Sequence, residues 1–131
     1  MQTQKTPKKT PLPSCTGLLP RGTDAGLPGN KYHDLAKRYL PKGAGSVFTF
    51  GVQGGYAAGV KVAEGVVIFS LLANIGDTRS LILHPASTTH GQLTSEQREI
   101  AGAGDDVLRL SIGLETAADL IDDLARALDR V

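Results

Sequence analysis

Val107-Leu108-Arg109-Leu110-Ser111-Ile112, followed beyond Gly113-Leu114-Glu115 by Thr116-Ala117-Ala118-Asp119-Leu120-Ile121-Asp122-Asp123-Leu124, changes its hydrophobic period partway, and that change decides the fold class. Over 107–112 the period is two, which predicts a strand with Val107, Arg109 and Ser111 on one face and Leu108, Leu110 and Ile112 on the other. Arg109 therefore faces away from the leucines. From Ala117 onward, Ala117, Leu120, Ile121, Leu124, Leu128 and Val131 form one apolar stripe at helical spacing, while Asp119, Asp122, Asp123, Arg126, Asp129 and Arg130 mostly keep to solvent. Thr116 is the expected cap of this helix.

The two periods also alternate toward the N-terminus. Tyr32, Leu35, Ala36, Tyr39 and Leu40 are spaced for a short helix at about 31–39, ended by Pro41 and Gly43. Ser46 to Val52 alternates apolar with small or polar residues and predicts a strand. Gln53 to Glu64 predicts a helix whose Gly54, Gly55 and Gly59 permit close packing on something flat. Val66 to Leu71 and Ser80 to Leu83 predict two neighbouring buried strands, with Asn74-Ile75-Gly76-Asp77 as a turn between them. Thr94 with Gln97 is a capping-box pair that opens a further helix, stopped by Gly102 and Gly104. The sum is a small α/β fold, α+β-like, with a sheet of about four strands and helices on one face.

At 131 residues the chain supports one domain, and 40% hydrophobic with 5% aromatic residues allows a modest aliphatic core. Residues 1–25 stand apart. They hold four of the seven prolines and carry Lys5, Lys8, Lys9 and Arg21 against Asp24 alone, a net of +3 that leaves −2 for the rest of a chain totalling +1. Such a mixture buries too little apolar surface to offset ordering entropy, so 1–25 are expected to be disordered and 26–131 to form the domain. With no Trp and no Lys/Arg stripe, nucleic-acid binding is not expected. The apolar run from Val66 to Ala73, broken by Ser70, is far short of the roughly 20 residues that cross a bilayer. One cysteine, Cys15, gives neither a disulfide framework nor a thiolate metal site, and a cytoplasmic setting is expected.

Most motif readings end in turns and packing. Gly51-x-x-Gly54-Gly55-x-x-x-Gly59 and Gly102-x-Gly104 lack the spacing of phosphate-binding loops. His84 and His90, six apart, match no metal-ligand spacing, and no activated Ser or Cys stands on an elbow turn. Arg109 is the exception. A guanidinium in mid-strand must find an anion or incur a large desolvation cost, and its planar fork suits a carboxylate. On pattern alone an internal Asp or Glu partner is favoured over a bound ligand. Asn74 and Ser87-Thr88-Thr89 are ordinary turn and loop residues by themselves.

Several segments in one order carry a resemblance: Tyr32-His33-Asp34-Leu35-Ala36, Tyr39-Leu40-Pro41-Lys42-Gly43, Phe50-Gly51-Val52-Gln53-Gly54-Gly55, Phe69 to Asp77, His84-Pro85-Ala86-Ser87-Thr88-Thr89-His90, and Arg109 to Glu115. From about Gly26 to Val131 the chain resembles the C-terminal small domain of the fold-type I, pyridoxal-phosphate-dependent enzymes of Cys/Met metabolism. The resemblance implies that Arg109 holds the α-carboxylate of a small amino-acid substrate, with Asn74 near it and Thr89 in the loop lining the entrance. The Asn-Ile-Gly form at 74–76 is similar to the sulfhydrylase branch of methionine biosynthesis, which converts O-acetylhomoserine and sulfide to homocysteine and acetate. It also implies a homo-oligomeric enzyme.

The departures count equally. Relatives carry the Schiff-base lysine in a Ser-x-Thr-Lys-like motif of the large domain, and none of the seven lysines here lies in one. Pyridoxal phosphate is thus implied for the complete enzyme, while this chain alone is expected to lack catalytic and cofactor-binding residues and to be inactive. A truncated or mis-started reading frame would account for both the missing lysine and the unmatched residues 1–25. The alternatives are a stand-alone amino-acid-binding or dimerisation module, prone to self-association, or a piece of a cystathionine synthase or methionine lyase relative.

Overall fold

The computed structural model describes residues 21–131. Its elements run β1 Arg21–Gly22, α1 His33–Tyr39, β2 Val47–Gly51, α2 Gly55–Gly65, β3 Ser70–Leu71, β4 Leu81–Leu83, a 3₁₀ turn Pro85–Ser87, α3 Ser95–Ile100, β5 Val107–Ser111 and α4 Ala117–Leu128. The strands form one sheet in the order β1-β2-β5-β4-β3. β5 is its centre, antiparallel to β2 on one side and to β4 on the other. The fifth strand is one more than the sequence suggests, because Arg21–Gly22 pair with Phe50 and Gly51 at the edge. Thr23 continues that edge through its N–H to the Thr49 carbonyl, 3.0 Å, so the sheet begins ahead of the expected opening at Gly26. The expected disorder of 1–25 otherwise falls largely on residues outside those described.

β5 alternates as its period requires. Leu108 and Leu110 join Phe50, Phe69 and Ile82 in the core, against Val62 and Ala63 of α2 and Leu120, Ala127 and Leu128 of α4. The two helices also pack on each other across that face. Arg109, paired with Thr49 and Leu83, points to the other face.

The segment from Val66 to Leu71 departs most from its sequence reading. Only Ser70–Leu71 is strand, and it pairs with β4 in parallel, so 73–80 loops back along the sheet instead of closing a hairpin. The reason lies in α4. Asp123, assigned by pattern to the solvent face, is buried, 1% exposed. It stands three residues from Leu120 and four from Ala127, on the buried stripe, and its carboxylate accepts the N–H groups of Val67 (2.9 Å), Ile68 (2.8 Å) and Phe69 (3.4 Å). Those amides are unavailable to a sheet ladder, so the apolar run ends as an anchored connection rather than a strand. Thr116 stands at the N-cap position of α4 but makes no side-chain cap bond, whereas Thr94 and Gln97 form the full capping box of α3.

Close packing of α2 is settled at Gly59. A Cβ there would lie 2.5 Å from Nε2 of His84, which is fully buried, with Tyr56 edge-on to its ring at a centroid distance of 5.1 Å. By contrast α1 buries no residue, and Leu35 and Tyr39 are exposed.

Replacing Asp123 by Ala strands three donors near the core. We predict a loss of about 2–4 kcal/mol in urea unfolding, since unsatisfied buried donors cost about 1–3 kcal/mol each, and part of that is relieved by local opening to water. An unchanged midpoint would show that the carboxylate is not an anchor.

Candidate functional site

Arg109 is half-buried and reaches across β4 toward the loop that follows β3. Residues paired directly across an antiparallel ladder share a face. Arg109 and Ser111 of β5 therefore stand beside Leu83 and Leu81 of β4, and with Leu72 and Asn74 of the following loop they line a narrow recess. The guanidinium donates from Nη2 to the main-chain carbonyl of Asn74 at 3.3 Å. Among the described residues it has no carboxylate partner, so the internal pair favoured by pattern is not formed. Leu81 and Leu83 are buried beneath it, whereas Leu72 and Asn74 are exposed, so the recess opens to solvent at its rim.

The structure brings together Arg109 and Asn74, but through the backbone of Asn74. The Asn74 side chain accepts the N–H of Ile75, 2.8 Å, and stays in the loop. Thr89 is exposed, does not line the recess and shares a hydrogen bond of 2.8 Å with Nδ1 of His90. His84, at the head of the same motif, is structural. Its Nε2 lies 2.9 Å from the Asp105 carbonyl, which can only accept, so Nε2 carries the proton. Nδ1 faces Ser87 Oγ at 2.9 Å, and the Thr88 hydroxyl donates to the His84 carbonyl. The polar triplet thus builds the turn that seats the histidine.

Periodicity does not expose the residues that hold the Asn74 loop. Glu115 accepts the Ser80 N–H with both carboxylate oxygens (2.9 and 3.1 Å) and the Ser80 hydroxyl with Oε2 (2.7 Å). The Gly113 N–H donates to Ser80 Oγ at 2.9 Å, and the Leu114 N–H to the Thr78 carbonyl at 2.9 Å. Asp77 closes its own turn on the Arg79 N–H and guanidinium. The one sequence signal was a serine heading the apolar β4, where a polar group about to be buried requires partners.

These contacts set the carboxyl groups. The Ser80 N–H and then its hydroxyl hold Glu115 below its ordinary value of 4.5. The Arg79 N–H and then its side chain hold Asp77 below 3.8. Burial pushes Asp123 up, but the N–H groups of Ile68, Val67 and Phe69 outweigh it and leave that carboxyl below 3.8 as well. Each group binds its proton less readily folded than unfolded. Its contribution is therefore complete above 4.5 or 3.8 and is lost as pH falls through the lower folded value. We predict a urea midpoint flat from neutrality to about pH 5 that declines below it, and a shallower decline in Glu115→Gln.

Pyridoxal phosphate needs an amine and a phosphate cradle. Lys31, Lys37, Lys42 and Lys61 are all exposed and none lines the recess, so the described residues do not fit that group. No described helix is long and apolar enough to cross a membrane.

The sequence model of the Cys/Met metabolism PLP-dependent enzyme family matches residues 23–129. O-acetyl-L-homoserine sulfhydrylase 1 of Thermus thermophilus is 47% identical over 103 residues, 79% of this chain and 24% of its own length. Homocysteine synthase of Schizosaccharomyces pombe is 43% identical over 79% of this chain and likewise 24% of its own length. Among solved structures, a cystathionine gamma synthase from Xanthomonas oryzae, in complex with aminoacrylate and cysteine, superposes with a TM-score of 0.75 at 41% identity, covering 86% of this chain and 29% of its own. The chain thus spans about a quarter of the length of the curated relatives it matches. With nearly its whole described length matched, it belongs to the Cys/Met metabolism PLP-dependent enzyme family.

Proposed function

We propose that this chain is the substrate-carboxylate-holding domain of an enzyme that exchanges the acetoxy group of O-acetylhomoserine for sulfide, giving homocysteine and acetate. Residues 26–131 are the body of that domain in this reading, and the family match reaches ahead of it to residue 23. The observation that carries it is Arg109: a guanidinium on the central strand, walled by leucines, with no carboxylate partner among the described residues. Such a group accepts a carboxylate in a bidentate fork, and its spare donors are free because the Asn74 carbonyl takes only one. The relatives that act on O-acetylhomoserine by name support the choice of substrate.

The chain's own part is to bind and orient. Arg109 fixes the α-carboxylate and the Asn74 carbonyl fixes the guanidinium, while Thr89, outside the recess, keeps only the entrance role that the family resemblance implies. The described residues supply no group for the chemical steps; pyridoxal phosphate, the cofactor of this family, would supply carbanion stabilisation in a complete enzyme. Alone, the chain binds the amino acid without turning it over.

A second reading, self-association, is favoured by an apolar groove of about 420 Å³ between the β2 end of the helix-covered face and α4, lined by Phe48, Phe50, Leu110, Ile112 and Leu124 among others. Sedimentation velocity tests it: a concentration-dependent dimer supports it, and a monomer throughout overturns it.

For the main reading, calorimetric titration with O-acetyl-L-homoserine is expected to show saturable binding that Arg109→Ala abolishes. Arg109→Lys should weaken it at least about tenfold, because an ammonium cannot fork. Equal binding by wild type and Arg109→Ala would overturn the reading.

A further inference from the structure

Arg109 is fixed by the sheet, paired on both sides, but the carbonyl it meets is not. After β3 the last bond to the ladder is the Leu72 N–H to the Ile82 carbonyl, 3.3 Å. Asn74 and Asp77 then use their side chains on neighbours within the loop, at Ile75 and Arg79, and Gly76 takes a left-handed φ of 80°. These local turns shape the loop without attaching it to anything.

Attachment comes from the residues that follow β5. The Glu115 carboxylate gathers the N–H and hydroxyl of Ser80, the Ser80 hydroxyl oxygen receives the Gly113 N–H, and the Leu114 N–H reaches Thr78. Gly113 makes this approach possible: a Cβ there would lie 2.5 Å from the Arg79 carbonyl carbon and 2.7 Å from the Ser80 nitrogen, inside any real contact. Ser80 is fully buried at the junction. The same strand therefore presents Arg109 and, four residues beyond its pairing with Thr49, begins the clasp that ends at Glu115.

We propose that Glu115 is a positioning residue: by clasping Ser80 to the end of β5 it holds the Asn74 carbonyl on the Arg109 guanidinium and so sets the orientation of the fork that takes the substrate carboxylate. This rests on the reading of Arg109 given above. A freed loop leaves the guanidinium to its own rotamers, and each carboxylate captured must then order it again. The carboxylate acts through charge-assisted bonds to fixed donors, so Gln, with one accepting oxygen and no charge, is a nearly isosteric way to weaken the clasp.

The test uses the full chain as wild type, Glu115→Gln, Ser80→Ala and Arg109→Ala, with amide hydrogen exchange, urea unfolding and titration with O-acetyl-L-homoserine. Glu115→Gln should raise exchange at residues 74–79 while α2 and α4 stay protected, and should weaken binding by the folded protein roughly tenfold. Ser80→Ala, which keeps the N–H bonds and loses the hydroxyl, should do the same to a smaller extent and serves where the Glu115 variant fails to fold. A variant with a lower urea midpoint but wild-type affinity would reduce Glu115 to a structural group and overturn the positioning role. Binding lost in Arg109→Ala and retained unchanged in both clasp variants overturns that role alone. A wild-type chain that binds no O-acetyl-L-homoserine overturns the carboxylate reading and the positioning role with it.

Discussion

The carboxylate of Asp123 is the constraint on which the arrangement of the molecule turns. Placed on α4 and buried, it survives as an anion because Val67, Ile68 and Phe69 turn their amides toward it. One side chain thereby satisfies donors that the end of α2 would otherwise leave in a low-dielectric interior. In doing so it seats Phe69 in the core and fixes where β3 starts. A second carboxylate, Glu115, repeats the device on Ser80 just before α4 begins. The segment 67–80 is thus pinned at both ends by acids from one short stretch of chain. What lies between, the loop bearing Asn74, has its position set by electrostatics at its ends, since Ile75 within it is largely exposed.

Much of this fold was legible in the sequence. Period two across 107–112 and period 3.6 from 117 placed β5 and α4 correctly, and Thr94 with Gln97 marked the start of α3. Apolar periodicity reports which side of an element faces the core: Leu108, Leu110, Leu120 and Leu128 are buried as their spacing requires, while Ala117, Ile121 and Val131 of the α4 stripe stay exposed. It fails where a polar group takes a core position. Asp123 stood on the buried stripe by spacing, between Leu120 and Ala127, yet its identity assigned it to solvent. The anchor, and with it the reason why Val67 to Phe69 are not strand, therefore has no sign in the apolar pattern. Likewise α1 has an apolar stripe that stays largely exposed, because spacing predicts a helix without naming its partner.

The site divides in the same way. A charged residue in mid-strand stands out from its neighbours, so Arg109 was visible at once. What it would meet was not, because the partner is a backbone carbonyl in a loop, and carbonyls have no signature in sequence. The salt bridge favoured by pattern gave way to an interaction only geometry reveals. His84 shows the converse: a residue that looks chemical in sequence is consumed in holding a turn to Asp105, with Gly59 opening the space its ring needs.

In the proposed reading, a carboxylate grip on the central strand has a physical logic. β5 is hydrogen-bonded on both edges, so the backbone under Arg109 is among the least free in the fold, and the rotamer freedom that the sheet leaves to the guanidinium is restricted by the Asn74 carbonyl. Leu81 and Leu83, both buried, form the floor of the recess, while Leu72 and Asn74 at its rim are exposed. An uncharged acceptor, the Asn74 carbonyl, orients the fork without neutralising it. An internal acid in that place would hold the guanidinium equally well but cancel the charge that the proposed substrate carboxylate would meet. A neutral oxygen for orientation and an acid set back at position 115 to hold that oxygen give order at the guanidinium while its positive charge remains for the ligand.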